Sequence, residues 1–582
     1  MVLVIFFFLR NFRATVIPGL ALPLAVMGTF GIMALAGFSL NNLSLMALTI
    51  STGFVVDDAI VMIENIVRYL EAGESPLQAA LKGSRQIGFT VISLSVSLVA
   101  VFIPLLFMNG MVGRLFREFA LTLTAAVGVS AVVSLTLTPM MCARMLRADR
   151  TSEHGFFFRL IERFFDGILA GYEAGLRWVL RHQTFTLLVT FATFVATLLL
   201  YQAVPKGLLP LQDTGLILGI TEAAPTVSFK EMARQQAQIV ELLQHDPDVA
   251  SVASLVGGGQ VNSAGNTGKL YIALKPKDHR RAGATEVMAR LRVATEDLPG
   301  VILMMQVVQD LRLDSRVSRA QYQYSLQAVD DEELERWARR LQQALMDRSE
   351  LADVGSDLQA GGLQVRVDVD RELAQRLNVQ TQTIDDTLYD AFGQRQVSVI
   401  FTQLNQYRVV LEVDPAFQKD VQALEKIFVK STTGAMVPLN AFASLRTVPA
   451  PLSLQHQDQF PSVTLCFNLA PGHSLSAAVA AIETVKREIG LPDTVATEFT
   501  GSGAEFRASL SSTPWLLIAS VVVIYIVLGI LYESYVHPIT ILSSLPSAGV
   551  GALLALFIAK MDLDLIGVIG IILLIGIVKK NA

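Results

Sequence analysis

Seven runs of about 20 predominantly apolar residues constrain this chain more than any other feature of its sequence. A helix of that length crosses the hydrocarbon core of a bilayer, where only helices and closed barrels pair all of their backbone polar groups. The apolar share of 52% and the positive mean hydropathy also fit a membrane protein. We therefore predict spans near residues 16–35, 43–63, 89–107, 119–141, 184–203, 514–531 and 538–558.

Both ends of the chain lie in or against apolar segments. Residues 2–9 are apolar and lack the charged region and cleavage site of a signal peptide, so we interpret them as the last part of another span. A further apolar run begins near Leu563 and leads directly to Lys579 and Lys580. We expect this sequence to be a piece of a longer protein.

Arginines indicate on which side of the membrane each loop lies. Seven of them occur between residues 143 and 183, so the positive-inside rule places that loop in the cytoplasm. Apolar residues within 157–172 recur at helical spacing with charged residues opposite them, which indicates an amphipathic helix on the inner membrane surface. A helix docked on another domain is the alternative. Counting spans then places the connection 64–85 inside, and loops 37–42 and 109–118 outside.

Residues 204–513 contain no predicted span and have the charged composition of a soluble region. Strand-like and helix-like segments alternate in the order of repeated βαβ units of the split, ferredoxin-like kind. The block 394–460 is mostly strand-like, and we interpret it as an insertion between the two halves of one such unit. The region is long enough for two or more domains.

Asp57 and Asp58 are adjacent carboxylates inside the apolar run 43–63. An aspartate near the centre of a membrane helix costs roughly 2.5–3.5 kcal/mol on insertion scales. Two of them side by side also repel each other, so one gains from being neutral. We interpret the pair as a group that loads and releases a proton. A pair at a helix end, solvated at the interface, is the alternative.

An internal repeat links these acids to a distant lysine. Residues 22–59 align without a gap on residues 545–582, with Pro and Gly residues in register. The alignment places Asp57 on Lys580, and duplicated transporter bundles keep coupling residues near the midplane at the repeat interface. We therefore predict that Lys580 is the counter-ion of the acid pair, and that protonation of an aspartate releases it.

Lysines at the end of a span can instead snorkel to the membrane interface. This is the alternative for Lys580. Lys579 aligns with apolar Val56 and is the better candidate for snorkelling.

Seven short motifs are specific enough to suggest a family. Four of them are similar to motifs of the resistance-nodulation-division (RND) superfamily, hydrophobe/amphiphile efflux branch: Gly53-Phe-Val-Val-Asp-Asp-Ala-Ile-Val, Pro104-Leu-Leu-Phe-Met, Ser134-Leu-Thr-Leu-Thr-Pro-Met-Met-Cys-Ala and Gly576-Ile-Val-Lys-Lys-Asn-Ala. The other three resemble motifs of the Mdt B/C-type multidrug subunits: Phe392-Gly-Gln-Arg, Leu528-Gly-Ile-Leu-Tyr-Glu-Ser-Tyr and Lys579-Lys-Asn. The resemblance covers the whole chain.

The resemblance implies a fold of twelve spans in two halves, each with a large periplasmic loop. Asp57, Asp58 and Lys580 would then carry proton translocation, together with an arginine and a threonine beyond this sequence. We expect a polytopic α-helical membrane protein with a large α+β periplasmic loop of ferredoxin-like βαβ porter subdomains and an inserted β-rich docking region. Its parts would be membrane helices from the end of span two to span six (1–142), a cytoplasmic loop with the amphipathic helix (143–183), span seven (184–203), a periplasmic porter subdomain (204–320), a second porter subdomain (321–393 and 461–510), the docking insertion (394–460) and spans eight to ten (514–582).

The function implied is proton-driven efflux, by proton/substrate antiport, of amphiphilic drugs and toxic compounds across a bacterial inner membrane. The protein would be a subunit of a tripartite pump. Its expected partners are membrane lipid, a homo- or heterotrimer with a sister RND subunit, a periplasmic adaptor protein, an outer-membrane channel and small amphiphilic substrates.

One segment departs from the family pattern. In related drug pumps the loop before Leu274-Lys-Pro is rich in phenylalanine and lines the drug pocket, whereas here Tyr271 is the only aromatic residue of 253–271. Glycines 257–259 allow a mobile loop, which fits a switch or an ordinary connection equally well. We take Gly258, Gln260 and Tyr271 as candidate substrate contacts, and expect a more polar or amphiphilic substrate range.

Two other functions remain open. A heavy-metal exporter of the same superfamily could use Met304 and Met305, since thioethers suit Cu(I), although such a pair is more often part of a core. The second alternative function is that of an envelope assembly protein driven by protons. No motif indicates an enzyme, a cofactor, a metal site or nucleic-acid binding, and Cys142 and Cys466 do not suggest a disulfide.

Overall fold

The computed structural model describes residues 12–108, 110–146, 156–257, 264–311, 318–418 and 420–581, together with Phe6, and the side chains of all these except 156–162, 580 and 581. Apart from Phe6, the partial span predicted at residues 2–9 lies outside the described residues.

The first part of the chain is helical. Its helices are α1 (Phe12–Leu35), α2 (Asn42–Glu71), α3 (Pro76–Leu106), α4 (Gly110–Met145), α5 (Phe156–Arg181) and α6 (Gln183–Ala203). Helix α4 packs against α1, α2 and α3, so these four form one bundle. The predicted connection 64–85 is mostly helical, because its charged residues extend α2 and α3, and Ser75 caps α3 by accepting a hydrogen bond from Gln78.

Helix α5 lies where the amphipathic helix was predicted. Most of its described apolar side chains are exposed, with Phe164 at 61% and Trp178 at 51%. An exposed apolar face of this kind indicates a surface that is buried against something else. We still predict that it is buried against the inner membrane surface.

The first soluble unit is a four-stranded antiparallel sheet with two helices. Its elements are β1 (Leu216–Ala223), α7 (Phe229–Gln244), β2 (Val249–Val256), β3 (Thr267–Leu274), α8 (Ala284–Glu296) and β4 (Val301–Val307). The strand order β2-β3-β1-β4 gives the ferredoxin-like topology that the alternating segments predict. Ile217 and Ile272 of the sheet share one core with Ile239 and Leu291 of the helices.

The second soluble unit has the same topology, interrupted by a long insertion. Its first half is β5 (Tyr322–Gln327), α9 (Asp331–Met346) and β6 (Leu351–Ser356). The insertion contains β7 (Gly362–Val369), α10 (Arg371–Arg376), α11 (Thr381–Phe392), β8 (Arg395–Phe401), β9 (Gln406–Leu411), β10 (Phe428–Lys430), β11 (Met436–Pro438), β12 (Ala443–Ala450) and β13 (His456–Gln457). The second half is β14 (Phe460–Leu469), α12 (Leu475–Glu488) and β15 (Ala496–Thr500), and hydrogen bonds place β14 between β6 and β5, with β15 on the far side of β5.

The insertion begins earlier than the sequence pattern indicates. Strand β7 pairs with β12 along its whole length, and α10 and α11 contribute to the same small core as Val429 and Phe442. Residues 362–393 therefore belong to the insertion and not to the second unit, where their local pattern places them. The pattern misleads because β7 followed by helices also fits a βαβ series, while its pairing partner lies far along the chain.

The chain returns to the membrane directly after β15. Helix α13 (Ser502–Tyr532) is followed by α14 (Val536–Leu542), α15 (Leu545–Ile558) and α16 (Leu565–Asn581). With α13 and the segment Val536–Ile558, the described part of the chain has 7 helices long and apolar enough to cross a membrane, which confirms the predicted spans. Helix α16 is a shorter apolar helix that packs against α3, α13 and α15.

A buried ion pair joins the two soluble units. Arg319, in the linker between them, is 4% exposed and donates from Nε to a carboxylate oxygen of Glu222 at 2.6 Å. Gln359, which follows β6, donates to the other oxygen of the same carboxylate at 3.0 Å. Glu222 of the first unit is thus held by the linker and by the second unit.

A second polar cluster reinforces this junction. Asn468 of β14 donates to a carboxylate oxygen of Asp353 and to the backbone oxygen of Met305 in β4, each at 2.7 Å. Arg292 of α8 also pairs with Asp353. Separating the units would therefore break charged and backbone hydrogen bonds at once.

Replacing Asp357 with Asn is expected to stabilise the protein at neutral pH. Burial raises the pKa of the Asp357 carboxyl, although the Thr464 backbone N–H donates to it at 2.7 Å and Arg319 also favours the charged form. Ionisation is thus less favourable in the folded than in the unfolded state, which costs stability at neutral pH. This cost shrinks as the pH falls below the folded-state pKa, and it is gone below the unfolded-state pKa. Asn keeps the acceptor without the charge. We expect a higher Tm than wild type at pH 7.5 and no such gain near pH 4, measured in detergent; a lower Tm at pH 7.5 would contradict the assignment.

Residues 204–208, here called the 204–208 strap, connect α6 to the soluble region. On one side, the backbone N–H of Leu565 at the start of α16 donates to the carbonyl of Leu208 at 3.1 Å. On the other, Ser476 in the first turn of α12 donates its backbone N–H to the carbonyl of Lys206 at 3.2 Å. The Lys206 N–H donates back to the Ser476 hydroxyl, also at 3.2 Å. The strap thus ties a membrane helix to the second soluble unit.

Candidate functional site in the membrane helices

The predicted acid pair lies inside the helix bundle. Asp58 is 4% exposed, and Asp57 is partly buried on the same helix, α2. Ser130 of α4 lies 3.4 Å from a carboxylate oxygen of Asp58, a distance at which its hydroxyl can donate. A solvated pair at a helix end would not show this burial, so the enclosed position of Asp58 favours the interpretation as a protonatable group within the membrane.

Buried hydroxyl side chains on α4 continue from this contact. Ser130, Ser134 and Thr138 are each at most 1% exposed and recur every four residues, so they lie one turn apart along one face of the helix. The Thr138 hydroxyl has no hydrogen-bond partner among the described residues. A buried unpaired hydroxyl is a position where a water molecule can bind. In the sequence, the signal for this row is the spacing of four between hydroxyl residues within an apolar span.

Lys579 lies in the interior of the bundle. It is 4% exposed, and its Nζ donates to the hydroxyl oxygen of Ser97 on α3. A Cβ added at Gly576, one turn earlier, would lie 2.8 Å from the Leu98 side chain, so the glycine lets α16 approach α3 closely. The prediction that Lys579 snorkels is wrong, because this close approach encloses the side chain between helices.

Three of the predicted site residues fall where no side chain is described: Lys580, Gly258 and Gln260. Their roles stay predictions. Tyr271 lies on β3, which pairs with β2 and β1, and is 36% exposed. The Lys269 ammonium lies 5.0 Å from the centre of its ring. Tyr271 therefore presents an aromatic surface on a sheet that fixes its position.

A cavity of about 670 Å³ lies where the membrane helices meet the soluble units. Its wall includes Asn42 at the start of α2, Ile566 at the start of α16 and Gln306 of β4. Both helices run from this cavity away from the soluble units. At 1.5 Å per residue, Asp58 lies about 24 Å and Lys579 about 21 Å from those helix starts, so the two charges lie at similar depth.

The two methionines considered as metal ligands lie in packed cores. Met305 is 1% exposed in the core of the first unit, and Met304 is 5% exposed beside Ala320 and Cys466. Successive side chains of a strand point to opposite faces, so this pair does not form one site. The interpretation as core residues is confirmed.

The arrangement can couple a proton to helix packing. A carboxyl enclosed by apolar helices is easier to bury neutral than charged, whereas a nearby ammonium favours the charged form. Gain or loss of one proton on the acid pair would therefore change the free energy of burying it within the bundle.

Comparison with known families finds a match that covers the whole chain. Residues 1–582 match the family model described as the AcrB/AcrD/AcrF family.

Proposed function

We propose a transport function on the premise that the chain belongs to the AcrB/AcrD/AcrF family, whose model matches it from end to end. Members of this family are transporters of the RND superfamily and not enzymes. For this chain we propose proton/substrate antiport that exports amphiphilic drugs and toxic compounds, with the protein in the inner membrane of a bacterium.

The observation that carries the proposal is an enclosed carboxylate at a depth similar to that of an enclosed ammonium. Asp58, 4% exposed, and Lys579, also 4% exposed, belong to helices that begin at one cavity. Ionisable groups inside membrane helices are costly and mark proton or substrate pathways. We assign the proton relay to Asp57, Asp58 and Lys580. The burial of Asp58 supports this assignment most directly.

Proton flow supplies enough energy for such a cycle. Each proton that enters down 100 mV provides roughly 2.3 kcal/mol from the electrical part alone. Protonation of the acid pair weakens its attraction to the lysines of α16, and release of the proton restores it. The 204–208 strap passes between the start of α16 and α12 of the second unit, so it offers a route from this switch to the soluble region.

The substrate path that we propose begins at the membrane surface. The cavity of about 670 Å³ is large enough for a drug-sized molecule and lies where an amphiphile in the outer leaflet would arrive. Leu43, Met46 and Phe116 supply apolar walls, and Asn41 and Gln306 supply polar groups. Farther along this substrate path, we propose contacts with Gly258, Gln260 and Tyr271. The mixed polarity of these residues favours amphiphilic substrates.

The soluble units suit the periplasmic roles that the resemblance implies. We assign the two ferredoxin-like units as porter subdomains and residues 362–457 as the docking insertion. The β8–β9 hairpin of the insertion is highly exposed, with Leu404 at its tip 98% exposed. We propose a homo- or heterotrimer of Mdt B/C type, joined by a periplasmic adaptor and an outer-membrane channel.

Reconstituted vesicles test the function directly. The complete transporter, placed in proteoliposomes with a pH gradient, should dissipate that gradient when an amphiphilic drug is added, and not when a hydrophilic sugar is added. A pH-sensitive dye reports the change. Dissipation that is independent of any amphiphile would contradict antiport, and a response to Cu(I) or Ag(I) alone would identify a metal exporter instead.

A further inference from the structure

Three buried hydroxyl residues on α4, here called the hydroxyl row, lead away from the acid pair. They are Ser130, Ser134 and Thr138, and the described helices already leave each of them at most 1% exposed. Ser130 lies 3.4 Å from a carboxylate oxygen of Asp58. Because residues four apart lie one above the other on a helix, the next two hydroxyls follow at steps of about 6 Å along the axis. The hydroxyl row therefore begins at the acid and continues along a single face of α4.

The hydroxyl row continues from Asp58 toward one end of α4 only. Toward the C-terminal end it passes Ser134 and reaches Thr138, which lies about 9 Å along the axis before the exposed Arg144. Toward the N-terminal end the next position of this face is Ala126, which carries no hydroxyl. The positive-inside rule predicts that the Arg144 end lies in the cytoplasm. The hydroxyl row thus leads from the acid pair toward the predicted inner side of the membrane.

The hydroxyl of Thr138 is available to a water molecule. Buried hydroxyls such as those of Thr29 and Ser95 donate back to a carbonyl of their own helix, at 2.8 and 2.9 Å. The Thr138 oxygen, in contrast, has no hydrogen-bond partner among the described residues. Pro139 also lacks the backbone N–H that would pair with the carbonyl of Leu135, which leaves an acceptor in the same helical turn. A hydroxyl and a carbonyl in one turn provide two of the polar groups that a buried water molecule needs.

The spacing of the hydroxyl row fits one water molecule in each gap. Hydroxyls about 6 Å apart are too distant to bond directly, because an O–H···O contact spans roughly 2.7–2.8 Å. Two such contacts through one water cover about 5.5 Å. Hydroxyls and water both donate and accept, so a chain of them can pass a proton on. Toward the N-terminal end, Ser130 and Thr122 lie about 12 Å apart along the axis, which one water cannot bridge.

We propose that the hydroxyl row is the proton-release path from Asp58 to the inner side of the membrane, with Ser134 and Thr138 as positioning residues that hold its water molecules. This inference rests on the proposed function and adds the exit that the proton needs. In the release step, the O–H bond of the protonated Asp58 carboxyl breaks, and the proton goes to the neighbouring hydroxyl or water. Each member of the path accepts one proton and passes one on. The path is therefore unchanged afterwards, the carboxylate is restored, and one proton reaches the inner water.

Helix packing is the other explanation for small buried residues on α4. Small residues at a membrane-helix interface let the backbones approach closely, whether or not they carry a hydroxyl. Ser134→Ala keeps the small size and Thr138→Val keeps the shape, so each change removes only the hydroxyl. If the hydroxyl row serves packing alone, both variants export normally. If it holds water for proton release, both export slowly.

Export by proteoliposomes with a fixed pH gradient separates the two explanations. The vesicles contain the complete transporter as wild type, Ser134→Ala, Thr138→Val or Thr138→Ser, and a fluorescent amphiphilic dye is the substrate. We expect Ser134→Ala and Thr138→Val each to lower the maximal export rate about three- to tenfold, which is the effect of one lost hydrogen bond. The dye concentration that gives half of the maximal rate should stay the same, because no drug contact changes. Thr138→Ser keeps a hydroxyl and should restore most of the rate.

Thr136 provides a matched control on the same helix. It is exposed, and its hydroxyl donates to the carbonyl of Val132 at 2.6 Å, so it does not belong to the hydroxyl row. Thr136→Val should export at the wild-type rate. A wild-type rate in Ser134→Ala or in Thr138→Val overturns the inference, and so does an equal loss in Thr136→Val and Thr138→Val. If Thr138→Val does not fold, the rate of Ser134→Ala decides.

Asp58→Asn in the same vesicles separates this inference from the proposed function. Normal export by Asp58→Asn means that proton coupling does not run through Asp58, and the proposed function then fails together with its release path. Loss of export in Asp58→Asn with wild-type rates in Ser134→Ala and Thr138→Val defeats only the release path. Loss in Asp58→Asn together with slow export in both variants, restored by Thr138→Ser, supports both.

Discussion

Replacing either aspartate of the acid pair with asparagine is expected to abolish export. Asn has the size of Asp but cannot ionise, so Asp57→Asn or Asp58→Asn removes the proton cycle with little change in packing. Without a charge that depends on protonation, no free-energy difference arises to drive the helices from one arrangement to another. Drug tolerance in an efflux-deleted strain should fall to that of the strain without the transporter, while the amount of protein in the membrane stays close to wild type.

Glu64 provides a matched control on the same helix. It is a carboxylate of α2 that lies exposed, beyond the enclosed acid pair. Glu64→Gln makes the same chemical change as the test variants and should leave export unchanged. Normal drug tolerance in both Asp57→Asn and Asp58→Asn, at normal amounts of protein, would remove the acid pair from the mechanism.

Replacing Arg319 with methionine is expected to cause the largest loss of stability in the soluble region. Arg319 is 4% exposed and pairs with Glu222, whose side chain is 22% exposed. Removal of one partner leaves an uncompensated, largely buried charge, which costs on the order of 3–5 kcal/mol. In a thermal melt in detergent, that loss corresponds to a Tm lower by roughly 5–10 °C.

An exposed ion pair gives the control. Arg339 pairs with Glu335 on α9, and their side chains are 57% and 42% exposed. Arg339→Met should therefore cost no more than about 0.5 kcal/mol and leave the Tm almost unchanged. Glu222→Gln combined with Arg319→Met should cost less than the sum of the two single changes, because the remaining partner no longer carries a charge. Equal Tm values for Arg319→Met and Arg339→Met would contradict a stabilising role for the junction.

The spans and the ferredoxin-like units could be predicted from the sequence because each follows from a local pattern. An apolar run of about 20 residues has few alternatives to a membrane helix. In the first unit, segments such as 216–222 and 249–256 carry their strand signal themselves, and βαββαβ order allows few topologies. The acid pair was also predictable, because two carboxylates within an apolar run are rare.

Features that depend on distant contacts could not be predicted in the same way. Strand β7 looks like part of the second unit until its pairing with β12 is known. Lys579 looks like a snorkelling residue, because no local pattern shows that Gly576 brings α16 against α3. The clusters around Glu222 and Asp353 join residues from separate units, and single charged residues in a soluble region carry no sign of such a partner.

The strap at residues 204–208 has a mechanical consequence. It is hydrogen-bonded to the start of α16 on one side and to the first turn of α12 on the other. A shift of α16 along its axis must therefore either carry the α12 end of the second unit with it or break these backbone hydrogen bonds. The strap thus links the position of α16 to that of α12. A displacement of α16 in the membrane would thus reach the second soluble unit through the first turn of α12.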